Sequence, residues 1–509
     1  MAFVGTILQE LMKIRKRIRK RMVVYDEKLQ EKTLRKLLTY AQNTRFGQAY
    51  RFKEILRSED IKKSFAKNVP VHDYNKLYDE WWHYLLKGED DITWPGRIKH
   101  YALTSGTSGS PSKRVPVSYH MIKAIRKVSV RQMLSIPDFG VNSDFYQKSV
   151  LMIGGSTALK RIPAGFEGDL SGIMQKRIPR WFTRFYKPGK KIAVIKDWEH
   201  KLDAVAKEAK NWDIGVICGV PAWIQLLMEK IIKENNAKHI HEIWPNLNIY
   251  VHGGVSFTPY RESFKKLLGK EINYLDTYLA SEGFIAAQNS DNKLGMQLVL
   301  DNWIYFEFVP FNEKNFDHEG QIKEEAEILT IEEVKENVDY AILISTCSGA
   351  WRYLIGDTIR FVKMETFEII ITGRTKHFLS LCGEHLSVDN MNMAVKKVGE
   401  ELGVNINEYT VCGENYNGLF AHRWYVGVDK ITDTAKLKEK LDAALKDLND
   451  DYTTERGHAL KEIFVEQLSI EKFYAFMDAQ GKLGGQNKFP RVMKGKVLED
   501  WKRFVQLGA

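Results

Sequence analysis

The stretch TSGTSGSPSKRVPVS, Thr104 to Ser118, is rich in hydroxyls and glycines and then turns basic at Lys113 and Arg114. Successive backbone amides in such a loop can curl round phosphate oxygens, and the hydroxyls of Thr104, Ser105, Thr107 and Ser108 add donors. Gly106 and Gly109 free the backbone to approach a ligand closely. Ser108 is the first choice of hydroxyl donor, while Lys113 and Arg114 either assist the phosphates or face water. The spacing is not GxxxxGK[ST], so a Walker-type site is not expected. Taken alone, the loop is equally a surface linker. It needs partners elsewhere in the chain.

Three segments offer them. YLASEG, Tyr278 to Gly283, sets Glu282 just past a strand-like run, where a carboxylate can hold the magnesium of a nucleoside triphosphate; Tyr278 and Ser281 stand beside it. RYLIGDTIRF, Arg352 to Phe361, puts Asp357 after Gly356, where an acid can accept two ribose hydroxyls. ITGRTKHFLSLCGEHL, Ile371 to Leu386, offers Arg374. VPAWIQLL and HGGVSF are candidate walls of a substrate pocket through Val220, Trp223 and Phe257, with core packing the competing reading for both aromatics. His252 reads as a hydrogen-bonded structural histidine.

These residues have to be positioned by a scaffold. From Ser149 onward, β-rich runs (SVLMIGG, DIGVICG, LNIYVHGG, EINYLDTY) alternate with helical segments (PAWIQLLMEKIIKE, TPYRESFKKLLG), the pattern of parallel βαβ units. Ligands bind beyond the carboxyl ends of such strands, which places Gly253, Gly254 and the segment after Tyr278 at a site. From Trp303 the texture changes to strands with acidic turns, IYFEFVP, EEAEILTI, VDYAILIST and FEIIITG, an antiparallel or mixed sheet. Beyond Gly373, SVDNMNMAVKKVGEELG and TDTAKLKEKLDAALKDL read as amphipathic helices among the strands YTVCGE, RWYVGVD and IFVEQLS, a small α+β unit. The fold class is therefore α/β, and the boundary falls near Arg374 to Lys376.

Composition sets outer limits. With 509 residues, 44% hydrophobic and 12% aromatic, the chain has ample core for more than one domain and is not disordered. No apolar run reaches the ~18 to 20 residues a membrane span needs, so a soluble, cytoplasmic protein is expected. Cys218, Cys347, Cys382 and Cys412 are far apart with no CxxC pairing, which predicts reduced, mostly buried thiols and neither zinc site nor disulfide framework. Part of the +11 net charge sits in ILQELMKIRKRIRKRM, Ile7 to Met22, where Leu8, Leu11, Ile14 and Ile18 recur at helical spacing. Such a helix can touch an anionic membrane surface or nucleic acid. The expectation is that its apolar stripe packs on the body and its charges stay solvated.

The order of the glycine-rich loop, strand-end SEG, YxxGD and GR at a domain boundary resembles the adenylate-forming superfamily of acyl-CoA synthetases, adenylation domains and luciferases. The closer resemblance is to its auxin-responsive acyl-amido synthetase branch, known from plants and with bacterial relatives. There the motifs read SSGTSGG, YASSE and TCAGLYRYRVGD; here they are TSGTSGS, YLASE and TCSGAWRYLIGD, the last spanning Thr346 to Asp357. The branch motif QYKxPR is matched by NKFPRV, with Lys488, Pro490 and Arg491. The boundary segment GRTKHFLSLCGEHL is closer to the general superfamily hinge, with Lys376 as its hinge residue. Leu279 and Gly283 flank the metal motif where the plant proteins carry other residues.

The resemblance implies a large adenylating domain, residues 1–375, with mostly parallel sheets flanked by helices and a β-rich subdomain, and a small mobile α+β domain, residues 376–509. It implies ATP and Mg2+, a small carboxylic acid, and an amino acid or other amine as acceptor. Thr104 to Gly109 would hold the β- and γ-phosphates and Glu282 the metal, with Gly254, Tyr278, Ser281, Asp357 and Arg374 at the nucleotide. Lys488 would meet the charge developing between carboxylate and α-phosphate; Lys494 and Lys496 are the reserve candidates. No side chain needs to be a nucleophile, in keeping with the lack of a GxSxG elbow. The competing enzymatic reading is an acyl-CoA ligase with the same first half-reaction. A third reading is a non-catalytic binder of membrane or nucleic-acid surfaces through the basic helix, with nucleic acid otherwise not expected as a partner.

Overall fold

The computed structural model describes all of the chain except residues 1, 23–27, 105–112, 180–181, 255–256, 289–294, 318–319, 376–378, 380, 382–383, 385, 418, 458, 484–487 and 508–509. Its centre is an 11-stranded sheet in the order Ile304–Pro310, Asp339–Thr346, Tyr353–Lys363, Glu368–Arg374, Met296–Leu298, Gly283–Ala287, Asn273–Ala280, Ile249–Gly253, Ile214–Cys218, Ser149–Met152 and Tyr186–Lys187. The last five strands pair in parallel and the others antiparallel. The two textures seen in the sequence are thus halves of one sheet, joined at the hairpin that carries Glu282.

Each half has its own cover. On the parallel half, Trp198–Glu208 and Pro221–Glu234 pack with Ile217, Trp244, Tyr250 and Phe264. Helix Pro221–Glu234 begins where the strand Ile214–Cys218 ends, with Pro221 in the first turn, where its fixed φ suits the helix and its missing N–H costs nothing. On the antiparallel half, Leu34, Leu37, Phe46 and Phe65 of the leading helices pack against Phe306, Ile344 and Trp351. Trp351 is wholly buried and its indole N–H donates to Thr93 O at 2.9 Å. A second sheet of 4 strands, Lys113–Val117, His100–Thr104, Gly165–Gly168 and Lys160–Ile162, carries the glycine-rich loop.

The C-terminal residues form a 3-stranded sheet of Ile406–Tyr416, Leu419–Val428 and Leu460–Ser469. Helices Val388–Leu402 and Thr434–Leu448 pack in its core; Ser387 and Asn390 start the first with a reciprocal capping box, and Gly403 closes it at φ +65°. Segment 324–331, expected as a strand, instead forms turns. Only Leu329 pairs, exchanging hydrogen bonds with Phe308 at 2.7 and 2.9 Å, because its alternating acids leave no apolar face long enough to extend the sheet.

The basic helix, Ala2–Met22, also departs from expectation: Ile7, Leu11 and Ile14 are 45%, 50% and 48% exposed. The face that meets the body is the opposite one. A Cβ on Gly5 would stand 2.0 Å from Ser143 O, Gln9 faces Tyr146, and Lys16 pairs with Asp138.

A buried ion pair ties the leading helices to the Thr346–Asp357 motif. Arg352 Nε donates to both Glu307 oxygens at 3.1 and 3.0 Å, and Nη1 donates to Ala66 O and Val69 O, each at 2.8 Å. Arg352→Met strands the Glu307 carboxylate, so denaturant unfolding should show a loss of about 3 kcal/mol. Adding Glu307→Gln should recover part of it.

Candidate active site

The turn Ser281–Glu282 joins strands Asn273–Ala280 and Gly283–Ala287, with Ala280 opposite Gly283. Glu282 is only 8% exposed. Burial pushes its carboxyl above the ordinary range, Asp357 pushes the same way, and Arg374 and Lys113 oppose. The phenol of Tyr353 stands beside it.

Asp357 and Arg374 are cross-strand neighbours, with Arg374 Nε 2.9 Å from Asp357 Oδ1. The Tyr278 hydroxyl donates to Asp357 Oδ2 at 2.5 Å. This contact joins strands that are not adjacent. It is possible because Met296–Leu298, between them, pairs only with Glu368 and Ile369 on one side and with Ala286 and Ala287 on the other, away from the Arg374 and Tyr278 ends. Tyr278, Glu282, Asp357 and Arg374 therefore gather in one place.

The glycine-rich loop bridges Thr104 and Lys113, which are paired in register. Ser105, Gly106, Thr107, Ser108 and Gly109 lie outside the described residues, as does Lys376. Lys113, at the loop's end, lies 5.0 Å over the Tyr74 ring and acts on the charge of Glu282. Arg114 is committed elsewhere, with Nε 2.6 Å from Glu167 Oε2. Ser118 caps helix Tyr119–Met133; its hydroxyl donates to Cys347 O at 2.5 Å and its N–H to Ser348 Oγ at 3.0 Å. The strand leaving the loop is thereby stitched to the Thr346–Asp357 motif.

The C-terminal residues complete the cleft. Lys488 lines a cavity with Val220, Ala222 and Trp223 from the parallel half and Tyr474 and Met477 from helix Ile470–Ala479. Gly254 lies below the lysine at φ +86°, a left-handed conformation suited to glycine, and a Cβ there would come 3.3 Å from Lys488 Cε and 3.5 Å from Nζ. Desolvation brings the Lys488 ammonium down to about 8, Asp357 opposes this, and Arg374 adds to it. By area Lys488 is exposed, so it is a cleft group that keeps partial hydration. Lys494 and Lys496 are exposed and do not line the cavity.

Lys488 is held by its neighbours. Phe489 is buried 4.7 Å from the Phe473 ring and 5.2 Å from that of Trp501. Arg491 Nη1 donates to Glu408 Oε2 at 2.6 Å and to Tyr409 O at 3.2 Å, while Tyr260 donates to Glu408 Oε1 at 2.5 Å. Tyr353, Glu408 and Tyr260 were not foreseen. Tyr353 lies inside a quoted motif, whereas Glu408 and Tyr260 carry no local signal.

Two aromatics differ in fate. Trp223 faces the cavity and lies 6.0 Å from the Tyr474 ring. Phe257 is in the core, 5% exposed and stacked on His252 at 4.7 Å, and it does not line the cavity. Core packing wins because Tyr250, Phe264 and Tyr274 surround it. His252 Nδ1 is 3.4 Å from Asp276 Oδ1. Cys347 and Cys412 are buried and Cys218 half-buried, all free thiols; Cys382 lies outside the described residues. No helix among the described residues is long and apolar enough to cross a membrane.

The GH3 family N-terminal domain matches residues 16–161 and 164–272, its central domain 297–374, and its C-terminal domain 389–497. The chain belongs to the GH3 family. A GH3 relative from Oryza sativa subsp. japonica, a probable indole-3-acetic acid-amido synthetase, is 25% identical over 183 residues, 33% of this chain and 30% of that protein. The chain thus aligns with less than a third of that relative's length. Among solved structures, a GH3.15 acyl acid amido synthetase matches with a TM-score of 0.77 at 15% identity, covering 97% of this chain and 95% of that one. A 2-hydroxyisobutyryl-CoA ligase in its postadenylation state matches with a TM-score of 0.60 at 13% identity, covering 94% and 91%. The GH3 chain therefore has the fold of adenylate-forming enzymes.

Proposed function

We propose that this GH3-family chain is an ATP-dependent, AMP-forming acyl acid amido synthetase. The observation that carries the reading is the meeting of Lys488, from the C-terminal unit, with Asp357, Arg374 and Gly254 in one cleft that Glu282 adjoins. In the first step a carboxylate oxygen attacks the α-phosphorus of ATP, the bond to the β-phosphate bridging oxygen breaks, and pyrophosphate leaves. In the second an amine nitrogen attacks the acyl carbon, AMP leaves with the bonding pair, and the nitrogen loses a proton. Such chemistry relies on positioning and charge neutralisation more than on covalent help.

Asp357 and Arg374 suit the ribose, and the Thr104–Gly109 stretch suits the β- and γ-phosphates. The Lys488 ammonium suits the charge that builds between the carboxylate and the α-phosphate. Glu282 fits a hard cation: a buried carboxylate held above its ordinary pKa gains when a positive ion arrives. Mg2+ takes one or two carboxylates plus substrate phosphates, so Glu282 would hold it and the ion would neutralise phosphate charge. Val220 and Trp223 would wall the acyl pocket beside Gly254. A division at residues 1–375 and 376–509 fits a C-terminal unit that moves between half-reactions. Free thiols and ATP use suit a cytoplasmic setting.

Acid-dependent exchange of label between pyrophosphate and ATP tests the first step. Exchange with at least one acid of an aromatic and aliphatic panel is expected, and none with any acid would reject the reading. Two substitutions probe how Lys488 is seated. Arg491→Met removes the clamp on Glu408, and exchange should fall about 10²-fold, the cost of misplacing a reacting group by ~1 Å, with ATP affinity unchanged. Gly254→Ala puts a methyl against Lys488 and strains φ, so exchange should fall about tenfold with about 1–2 kcal/mol lost in stability.

A further inference from the structure

We infer that helix Ala2–Met22 is a docking surface for an anionic lipid bilayer. Its exposed face is apolar: Ile7, Leu11 and Ile14 are about half exposed and fall within about 60° of one another at about 100° per residue. Ile18 continues the same period in the sequence. The body holds the opposite face through Gly5, Gln9 and Lys16, so the stripe is turned outward by how the helix is seated. Cations border it. KIRKRIRKR, Lys13 to Arg21, has 7 cations and no acid, and Arg15 and Arg17, both exposed, fall on either side of the stripe.

That arrangement selects the occupant. Aliphatic side chains at the centre with guanidinium groups on both flanks match acyl chains below and anionic headgroups at the same level. A nucleic acid would engage the cations but gain nothing from Ile7, Leu11 and Ile14. A second copy of the helix laid parallel on the stripe would set Arg15 and Arg17 against the same residues of its partner. The helix sits on Asp138, Ser143 and Tyr146, none of which lines the cavity around Lys488.

The test is sedimentation of the full chain with phosphatidylcholine vesicles, with and without phosphatidylglycerol. Binding is expected only with the anionic lipid, weakening as salt rises. The triple variant I7S/L11S/I14S, which keeps every charge, and the double variant R15E/R17E, which keeps the stripe, should each bind at least about tenfold more weakly. Unchanged thermal unfolding of the body would show that both variants remain folded. Equal binding to neutral vesicles, or full retention of binding by the serine variant, would overturn the proposal. So would a concentration-dependent dimer that the serine variant abolishes, or duplex DNA binding as tight as vesicle binding and indifferent to the serines.

Discussion

Lys488→Ala should lower acid-dependent pyrophosphate exchange by about 10²- to 10³-fold while ATP binding, followed by calorimetry, stays within about threefold. On the proposed function the separation arises because the ammonium would act on charge that develops only as carboxylate and α-phosphate approach, whereas Asp357 and Arg374 would serve the ground-state nucleotide. The same residue sets a pH limb. Its folded-state value is lowered to about 8, so the active cation is lost as pH rises through that value. The value of kcat/KM should therefore fall on the alkaline side of about 8. The limb for kcat should lie higher, because bound phosphates favour the cation. In Lys488→Arg the limb should vanish, since a guanidinium stays charged. Normal exchange in the alanine variant would remove Lys488 from the chemistry.

Asp357→Asn should weaken ATP binding by about 10- to 100-fold, the worth of one or two charge-assisted hydrogen bonds. Asp357 is held by Arg374 at 2.9 Å and Tyr278 at 2.5 Å, so it is aimed before any ligand arrives. Tyr278→Phe removes one of these supports and leaves the charge, and its effect should be smaller than that of the asparagine variant. If Asp357→Asn bound ATP normally and only lost stability, the carboxylate would be a strand-pairing residue for Arg374 and nothing more.

What the sequence made legible is local. Glycine-rich turns, strand ends and the proline that opens helix Pro221–Glu234 depend on neighbours within a few residues, and those elements match their segments closely. The C-terminal strands and helices follow the same rule. What failed depends on distant partners. Glu408 meets Tyr260 across 148 positions, so nothing near either residue announces the clamp that seats Lys488. Phe257 could be assigned to a pocket or to the core only once His252 and Tyr274 were seen against it. Periodicity showed that helix Ala2–Met22 has an apolar stripe; it did not say which face the turns around Ser143 would take. Segment 324–331 meets the free edge of strand Ile304–Pro310 only at Leu329, and its run of Glu324, Glu325 and Glu327 gave no local sign of that.

The most direct measurement is to incubate the chain with ATP, magnesium and the acid panel, add mixed amino acids or coenzyme A, and identify products by mass. Acyl amides together with AMP are the expected result. Thioesters alone would contradict the amide assignment, and the absence of any acyl product would contradict adenylation itself.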